Sequence, residues 1–212
     1  MRPLTFYDRI DKVIRELEAS KGPLPDSVVS RKHGVYALWL DEQAFRQLRL
    51  RPGKGGAAYA GVAGGTGGLA KRFREEWRPP HSGRSSPRRT LGALLRRRLK
   101  LKPRPRPGQG GKNYKYFTFG SDGEAVLSAW IDTHATFACV EVDISEWVAV
   151  YRIEDVETAL IEKLQPPLNL TKWRNPEKAR LSAARKSAEQ AALKAAIRAR
   201  RKAQREAADA ER

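Results

Sequence analysis

The chain has 212 residues, with 42 Lys and Arg against 24 Asp and Glu, a formal net charge of +18 at pH 7 and a pI near 10.4. That length suits one ordinary domain with an appendage or two small ones, and an apolar fraction of 40% supports a core, which excludes a wholly disordered chain. The single Cys139 excludes an intramolecular disulfide and a cysteine zinc cluster, no apolar run reaches the ~18–20 residues that span a bilayer, and the N-terminal MRPLTFYDRIDK lacks a signal peptide's apolar segment, so a cytoplasmic protein away from membranes is expected.

Phe6, Ile10, Val13, Ile14 and Leu17 recur at helical spacing and predict an amphipathic helix over 5–19, packed on the body. Lys21 to Ser30 reads as a loop. Gly34 to Leu40 is a short apolar run rich in β-formers, hence a buried strand, after which Asp41 caps a helix to about Leu48. Ala57 to Val62 is a second strand, leading through AGGTGG into a helix over Leu69 to Trp77. Arg78 to Arg89 reads as a Pro/Ser/Arg loop, with Thr90 capping a helix that bears Leu91, Leu94, Leu95 and Leu99; a basic Pro/Gly loop follows. Tyr114 to Phe119 is a strand candidate, Glu124 to Thr133 a helix, Thr136 to Asp143 a strand, and Val148 to Arg152 a short edge strand. Ile153 to Leu164 is a helix stopped by Pro166 and Pro167. From Asn175, an N-cap followed by Pro176, the chain is Ala, Lys, Arg and Glu, which predicts a long basic helix that frays beyond about residue 200.

Charge is unevenly placed. Residues 71–112 carry 15 basic and 2 acidic side chains, and residues 171–212 carry 13 and 5, while the remainder is slightly acidic. A polyanion is the expected partner, nucleic acid first. Arg84, Arg88, Arg89, Arg96 and Arg97 lie around a helix start, Lys102 lies in the Pro/Gly loop, and Lys172 and Arg174 precede the last helix. All are candidate phosphate contacts, the alternative being solvated charge.

The helix Ile153 to Leu164 carries the sharpest signal. At about 100° per residue, Ile153, Val156, Leu160, Leu164 and Ile161 span roughly −60° to +80°, and Glu157 falls near +40°, inside that stripe. A carboxylate facing a core needs a cation or a basic partner, unless it reaches water at the stripe edge. On the helix Leu69 to Trp77, Arg72 borders the face of Leu69, Phe73 and Trp77. It either covers the core with its stem or presents its fork to a phosphate.

Several residues then line up with a known family. Gly34-Val35-Tyr36 resembles a GIY motif and Tyr59-Ala60-Gly61 a YIG motif; Leu69-x-x-Arg72 resembles the helix with the family's arginine. Glu157-x-x-Leu160-Ile161, Pro166 and Asn169 resemble its glutamate helix and terminal asparagine. The ordered set resembles a GIY-YIG nuclease of the stand-alone bacterial type over about residues 33–170. The resemblance implies a small α/β domain with a central three-stranded antiparallel sheet flanked by helices, with 1–32 as an N-terminal helix and loop packed on it. It places insertions at about 41–56 and 78–112, and leaves 171–212 as a basic helical appendage. It further implies hydrolysis of DNA phosphodiesters, in duplex or branched DNA, with one divalent metal, Mg²⁺ or Mn²⁺, on Glu157. Arg72 would hold the scissile phosphate, Tyr36 and Tyr59 would lie near the attacking water, and Asn169 would orient groups near the metal.

Three departures qualify the match. Residues 41–56 lengthen the interval between the tyrosines, Val62 stands where some members have a lysine three positions after the second tyrosine, and Glu76 stands where many have a histidine four residues after the arginine. Loss of that proton acceptor leaves a binding protein, weakly catalytic or not catalytic, as the alternative, and makes His81 an accessory candidate. Repair, restriction and mobile-element roles remain open, as does the oligomeric state. A nucleoid-associated bacterial protein is the expectation.

Overall fold

A computed structural model of the chain describes residues 5–28, 30–78, 81–106, 114–143 and 152–210. In order these form α1 (Phe6–Ala19), β1 (Gly22–Pro23), β2 (Gly34–Leu40), α2 (Glu42–Leu48), β3 (Ala57–Ala63), α3 (Gly68–Glu76), α4 (Ser86–Leu95), α5 (Gly120–His134), β4 (Ala135–Glu141), α6 (Ile153–Leu164) and α7 (Lys178–Ala210). The strands make one antiparallel sheet in the order β1-β4-β2-β3.

Every residue of β2 is buried, because helices cover both faces of the sheet. Side chains alternate across a strand. Val35, Ala37 and Trp39 therefore join Ile10, Val13 and Leu17 of α1 and Val156, Leu160 and Ile161 of α6 on one face. Tyr36, Leu38 and Leu40 join Leu69 and Phe73 of α3, Leu91 and Leu95 of α4, Leu127 and Ile131 of α5 and Leu181 of α7 on the other. The apolar run GVYALWL is thus a strand buried on both sides rather than an alternating one.

β3 is an edge strand with a bulge. Leu38 pairs with Tyr59 and Trp39 with Ala57, which leaves Ala58 as the extra residue. Its carbonyl accepts the Leu168 N–H at 3.0 Å, so the segment after α6 covers the open edge.

The sheet has four strands rather than three: Gly22 and Pro23, inside the stretch that reads as a loop, pair with Phe137 and Thr136. The helix expected to start at Thr90 starts at Ser86, with the Ser85 hydroxyl accepting the Arg88 N–H at 3.2 Å; Pro87 fits the first turn, where no N–H is needed. Tyr114 to Phe119 is not a strand. Tyr114–Tyr116 is a 3₁₀ turn, and only Thr118 pairs, with Arg104, while Phe117 and Phe119 are buried by packing. The expected strand over 148–152 falls on 144–151, outside the described residues, except for Arg152 at the start of α6. α7 stays helical to Ala210, and Leu181, Ala188 and Ala192 anchor its first half against α4 and the 114–116 turn.

Beneath α4 lies a buried ion pair. The Arg88 side chain is fully buried and donates to Glu124 Oε2 (3.1 Å) and Ser128 Oγ (2.9 Å). Glu124 also accepts the Ser82 N–H and hydroxyl and the Phe119 N–H, so this carboxylate holds 82–89, 117–119 and α5 together. Glu124→Ala strands the Arg88 charge in the core. It should lower unfolding stability by about 3–5 kcal/mol, read from urea denaturation, whereas Glu124→Gln should cost less.

Candidate active site

The site begins with a glycine. Tyr36 stands opposite Gly61 in the β2–β3 ladder, and a Cβ at residue 61 would lie 2.6 Å from the Tyr36 hydroxyl oxygen. Without it the Tyr36 ring lies across β3, its centroid 6.2 Å from that of Tyr59 and 6.1 Å from that of Phe137. The Tyr36 hydroxyl donates to Glu76 Oε2 at 2.7 Å in a buried environment. Tyr59 lies within hydrogen-bonding reach of Tyr36, is less buried, and backs edge-on against Trp77.

α3 delivers Arg72 and Glu76. Its glycine turn is a packing device: Gly67 and Gly68 have left-handed backbones (φ 91° and 48°), and a Cβ on Gly68 would fall 2.1 Å from the Lys32 carbonyl. The first-turn N–H groups of Leu69 and Ala70 go to the carbonyls of Lys32 and Ser30 at 3.0 and 2.7 Å, so they are already spent. Arg72 Nη1 pairs with Glu76 Oε1 at 3.4 Å, and the rest of the guanidinium borders a shallow cleft lined by Ala63, Gly65, Thr66, Lys71 and Glu75. Glu76 falls near −20° from Leu69 on the helical wheel, just outside the arc from Leu69 at 0° to Trp77 at about +80°, so it borders the stripe and the wheel alone does not single it out as it does Glu157.

α6 presents Glu157 half-buried beside its apolar stripe, and the carboxylate is held by the ammonium of Lys172, which also donates to the Glu154 carbonyl at 3.4 Å. Lys172 has a left-handed backbone (φ 72°), costly by about 1 kcal/mol for a residue with a side chain. Asn169 does not turn its amide toward Glu157. Oδ1 accepts the Ala60 N–H at 2.9 Å and Nδ2 donates to the Ala60 carbonyl at 2.8 Å, so it fixes β3 between Tyr59 and Gly61. Asn175 in turn ties the Asn169 and Pro167 carbonyls at 2.8 and 2.7 Å.

These groups share one electrostatic neighbourhood. Burial pushes the Tyr36 hydroxyl well above the usual tyrosine range, and the negative Glu76 adds to the effect. Tyr59 is raised by burial, then by Glu76 and Glu157. The Glu76 carboxyl is raised by burial, against the opposing effects of the Tyr36 hydrogen bond and Arg72. Arg72 opposes the rise of both tyrosines without overcoming it, and Glu76, at the position of the family's histidine, accepts the Tyr36 hydroxyl.

The basic candidates divide. Arg84, Arg97, Lys102 and Arg174 are exposed. Arg88 is fully buried on Glu124, while Arg96 donates to Ser187 on α7 (3.1 and 3.4 Å) and Lys172 is on Glu157. Arg89 is buried against the Ser82 and Gly83 carbonyls. His81 lies against Gly83 and Arg106, with Nδ1 buried and unpartnered, and shares no hydrogen bond with the tyrosines, Arg72 or Glu157.

A family model described as the GIY-YIG catalytic domain matches residues 34–190, running past the loop after α6 into α7. No curated protein and no solved structure matches the chain.

Because folding raises the Glu76 carboxyl above its unfolded value, the native state holds the extra proton in the window between them. Stability therefore falls as pH rises through that window. Glu76→Gln should remove this loss: relative to the parent it melts higher near pH 8, and the difference closes below about pH 4, where both states are protonated. Thermal melts at the two pH values check it.

Proposed function

The chain belongs to the GIY-YIG nuclease family, and on that premise we propose that it is a divalent-metal-dependent endonuclease hydrolysing phosphodiester bonds in DNA. The observation that carries this reading is the run of polar groups Tyr59, Tyr36, Glu76 and Arg72 on one sheet face, with Glu157 near enough to act on the same groups.

The donor set fits a hard cation. Glu157 already holds a positive charge, the Lys172 ammonium. Among the described residues no group of three or more His, Cys, Asp and Glu gathers, and Glu157 is the carboxylate we assign to the ion. That suits Mg²⁺ or Mn²⁺, which keep waters and take phosphate oxygens. When bound, the ion neutralises charge on the phosphate and on the leaving 3′ oxygen.

The chain's own residues supply the rest. Arg72, its fork open to the cleft, binds the scissile phosphate and stabilises its transition-state charge. A water beside Tyr59 attacks phosphorus, forming one P–O bond as the bond to the 3′ oxygen breaks. Its proton passes to Tyr59, the Tyr59 proton to Tyr36 and the Tyr36 proton to Glu76, while the leaving oxygen takes a proton from solvent. Neutral tyrosines with raised pKa values suit a relay, in which neither need become a free phenolate. Asn169 acts by positioning, holding β3 so that Tyr59 meets Tyr36. The alternative, a weakly catalytic or non-catalytic binding protein, was motivated by Glu76 in place of histidine and by the +18 charge; the hydrogen bond from Tyr36 to Glu76 favours the nuclease reading.

Glu157→Ala should lower cutting of plasmid DNA with Mg²⁺ or Mn²⁺ by roughly a hundredfold or more; retained cutting would sink the assignment. Lys172→Met removes the cation that competes for Glu157. Titration calorimetry with Mn²⁺ should show several-fold tighter binding than in the parent chain, and equal or weaker binding would show that Lys172 does not compete with the metal.

A further inference from the structure

Buried arginines in this fold meet two different fates. Arg88 has its carboxylate, Glu124, at 3.1 Å. Arg89, the next residue, is 5% exposed and has no ion pair among the described residues. Its Nη1 donates to the carbonyls of Ser82 (3.1 Å) and Gly83 (3.0 Å), its guanidinium lies 5.2 Å over the Tyr116 ring, and its Nε is buried without a partner.

Arg185 of α7 comes to the same place. It is half-buried, donates to Ser86 Oγ at 3.3 Å, and also has no ion pair among the described residues. Ser86 and Arg89 are three residues apart on α4 and share a face, so the bond to Ser86 brings Arg185 alongside Arg89. Each cation registers the mismatch. Arg89 is pushed down to about 10 by burial first and by Arg185 second, and Arg185 is lowered by burial. The acids that oppose this, Glu76 for Arg89 and Glu189 for Arg185, act without forming an ion pair. A buried guanidinium beside a half-buried one, with no ion pair to either among the described residues, is costly unless an anion completes them. They flank the first turn of α4, which carries no acidic residue and whose dipole favours an anion. α4 and α7 pack in one apolar cluster with Tyr36 and Tyr59, which sets the pair on the tyrosine side of the sheet.

We propose that Arg89, Arg185 and Ser86 form a second phosphate pocket, which takes a backbone phosphodiester of the DNA strand next to the one held at Arg72. This deepens the nuclease reading: the enzyme would grip its strand at two phosphates, one reacting and one held. α7 is then part of the site rather than a tail, since it delivers one of the two guanidinium groups.

The test uses the full chain with Glu157→Ala as the non-cutting background. Binding of a short fluorescent duplex is followed by anisotropy across salt concentrations, with and without Arg185→Gln. The pocket predicts roughly tenfold weaker binding and a salt slope shallower by about one phosphate contact. A neutral methylphosphonate is then placed at each linkage in turn. One linkage near the cut should weaken the parent and cost Arg185→Gln nothing more, while purely additive losses at every linkage overturn the proposal. Folding is controlled by the sign of the stability change. With its charge uncompensated, Arg185→Gln should melt at or above the parent in phosphate-free buffer, and a clear drop would make Arg185 a structural residue and overturn the pocket. Inorganic phosphate separates the two readings. If DNA does not bind but phosphate raises the melting temperature of the parent and not of Arg185→Gln, the anion site stands as a free-phosphate site and the nuclease reading fails. If DNA binds and is cut with no dependence on Arg185, the pocket fails and the nuclease stands.

Discussion

The hydrogen bond from Tyr36 to Glu76 is the constraint on which the rest of the site turns. It exists only because residue 61 has no side chain, since a methyl there would occupy the place of the Tyr36 hydroxyl. The bond in turn makes Glu76 tolerable. A buried carboxylate at the edge of the apolar stripe of α3 has little water, and Tyr36 and Arg72 are the partners that satisfy it. α3 itself is held by the carbonyls of Ser30 and Lys32, which take its first-turn N–H groups. A glycine in one strand, a loop before another and the pitch of one helix together fix where a proton can go.

The other half of the site hangs on the exposed edge of β3. An edge strand leaves N–H and C=O groups open, and here Asn169 takes both from Ala60 while Leu168 takes the Ala58 carbonyl. One side chain thereby replaces a missing neighbour strand and sets the height of Tyr59. The same turn carries Lys172 onto Glu157 in a strained backbone. Edge protection, tyrosine placement and the pairing of Glu157 are consequences of one short segment, 168–172.

Much of this was legible because burial imposes period. β2 and β4 read correctly as strands, and the Glu157 helix is helical over the expected residues, since a stripe at 3.6 or an apolar run bounded by turns leaves few alternatives. Tyr114 to Phe119 misled because its aromatics are buried by helices rather than by a ladder, which period alone does not distinguish. The start of α4 before Thr90 is hidden because the Pro/Ser/Arg composition of 78–89 reads as a loop, although a serine cap followed by a proline in the first turn is a helix start that costs no hydrogen bond. The two-residue β1 has no side-chain pattern to read. At the site, the motifs located Tyr36, Tyr59, Arg72 and Glu157, but partners come from tertiary packing: Lys172 looked like a phosphate contact and is found on Glu157.

Charge was the least readable property, because a formal +18 counts every arginine alike. The fold does not use them alike. Arg88 is neutralised inside the core by Glu124. Arg180 donates to the carbonyls of Leu48 and Arg49, at 3.1 and 2.8 Å, and so satisfies the C-terminal end of α2 while docking α7. Arg96 docks the same helix through Ser187. Arg180 and Arg96 add hydrogen bonds to the apolar anchor that Leu181, Ala188 and Ala192 give the long C-terminal helix. These bonds leave the net charge unchanged, because a guanidinium that donates to a carbonyl stays charged, but they hold those side chains against the protein, while others such as Arg84, Arg97 and Arg174 stay exposed. Clustering in sequence did not separate the two classes, since Arg88 and Arg89 are adjacent and differ in whether a carboxylate faces them. What decides whether a basic residue can serve a substrate is the balance of charge in its own buried surroundings.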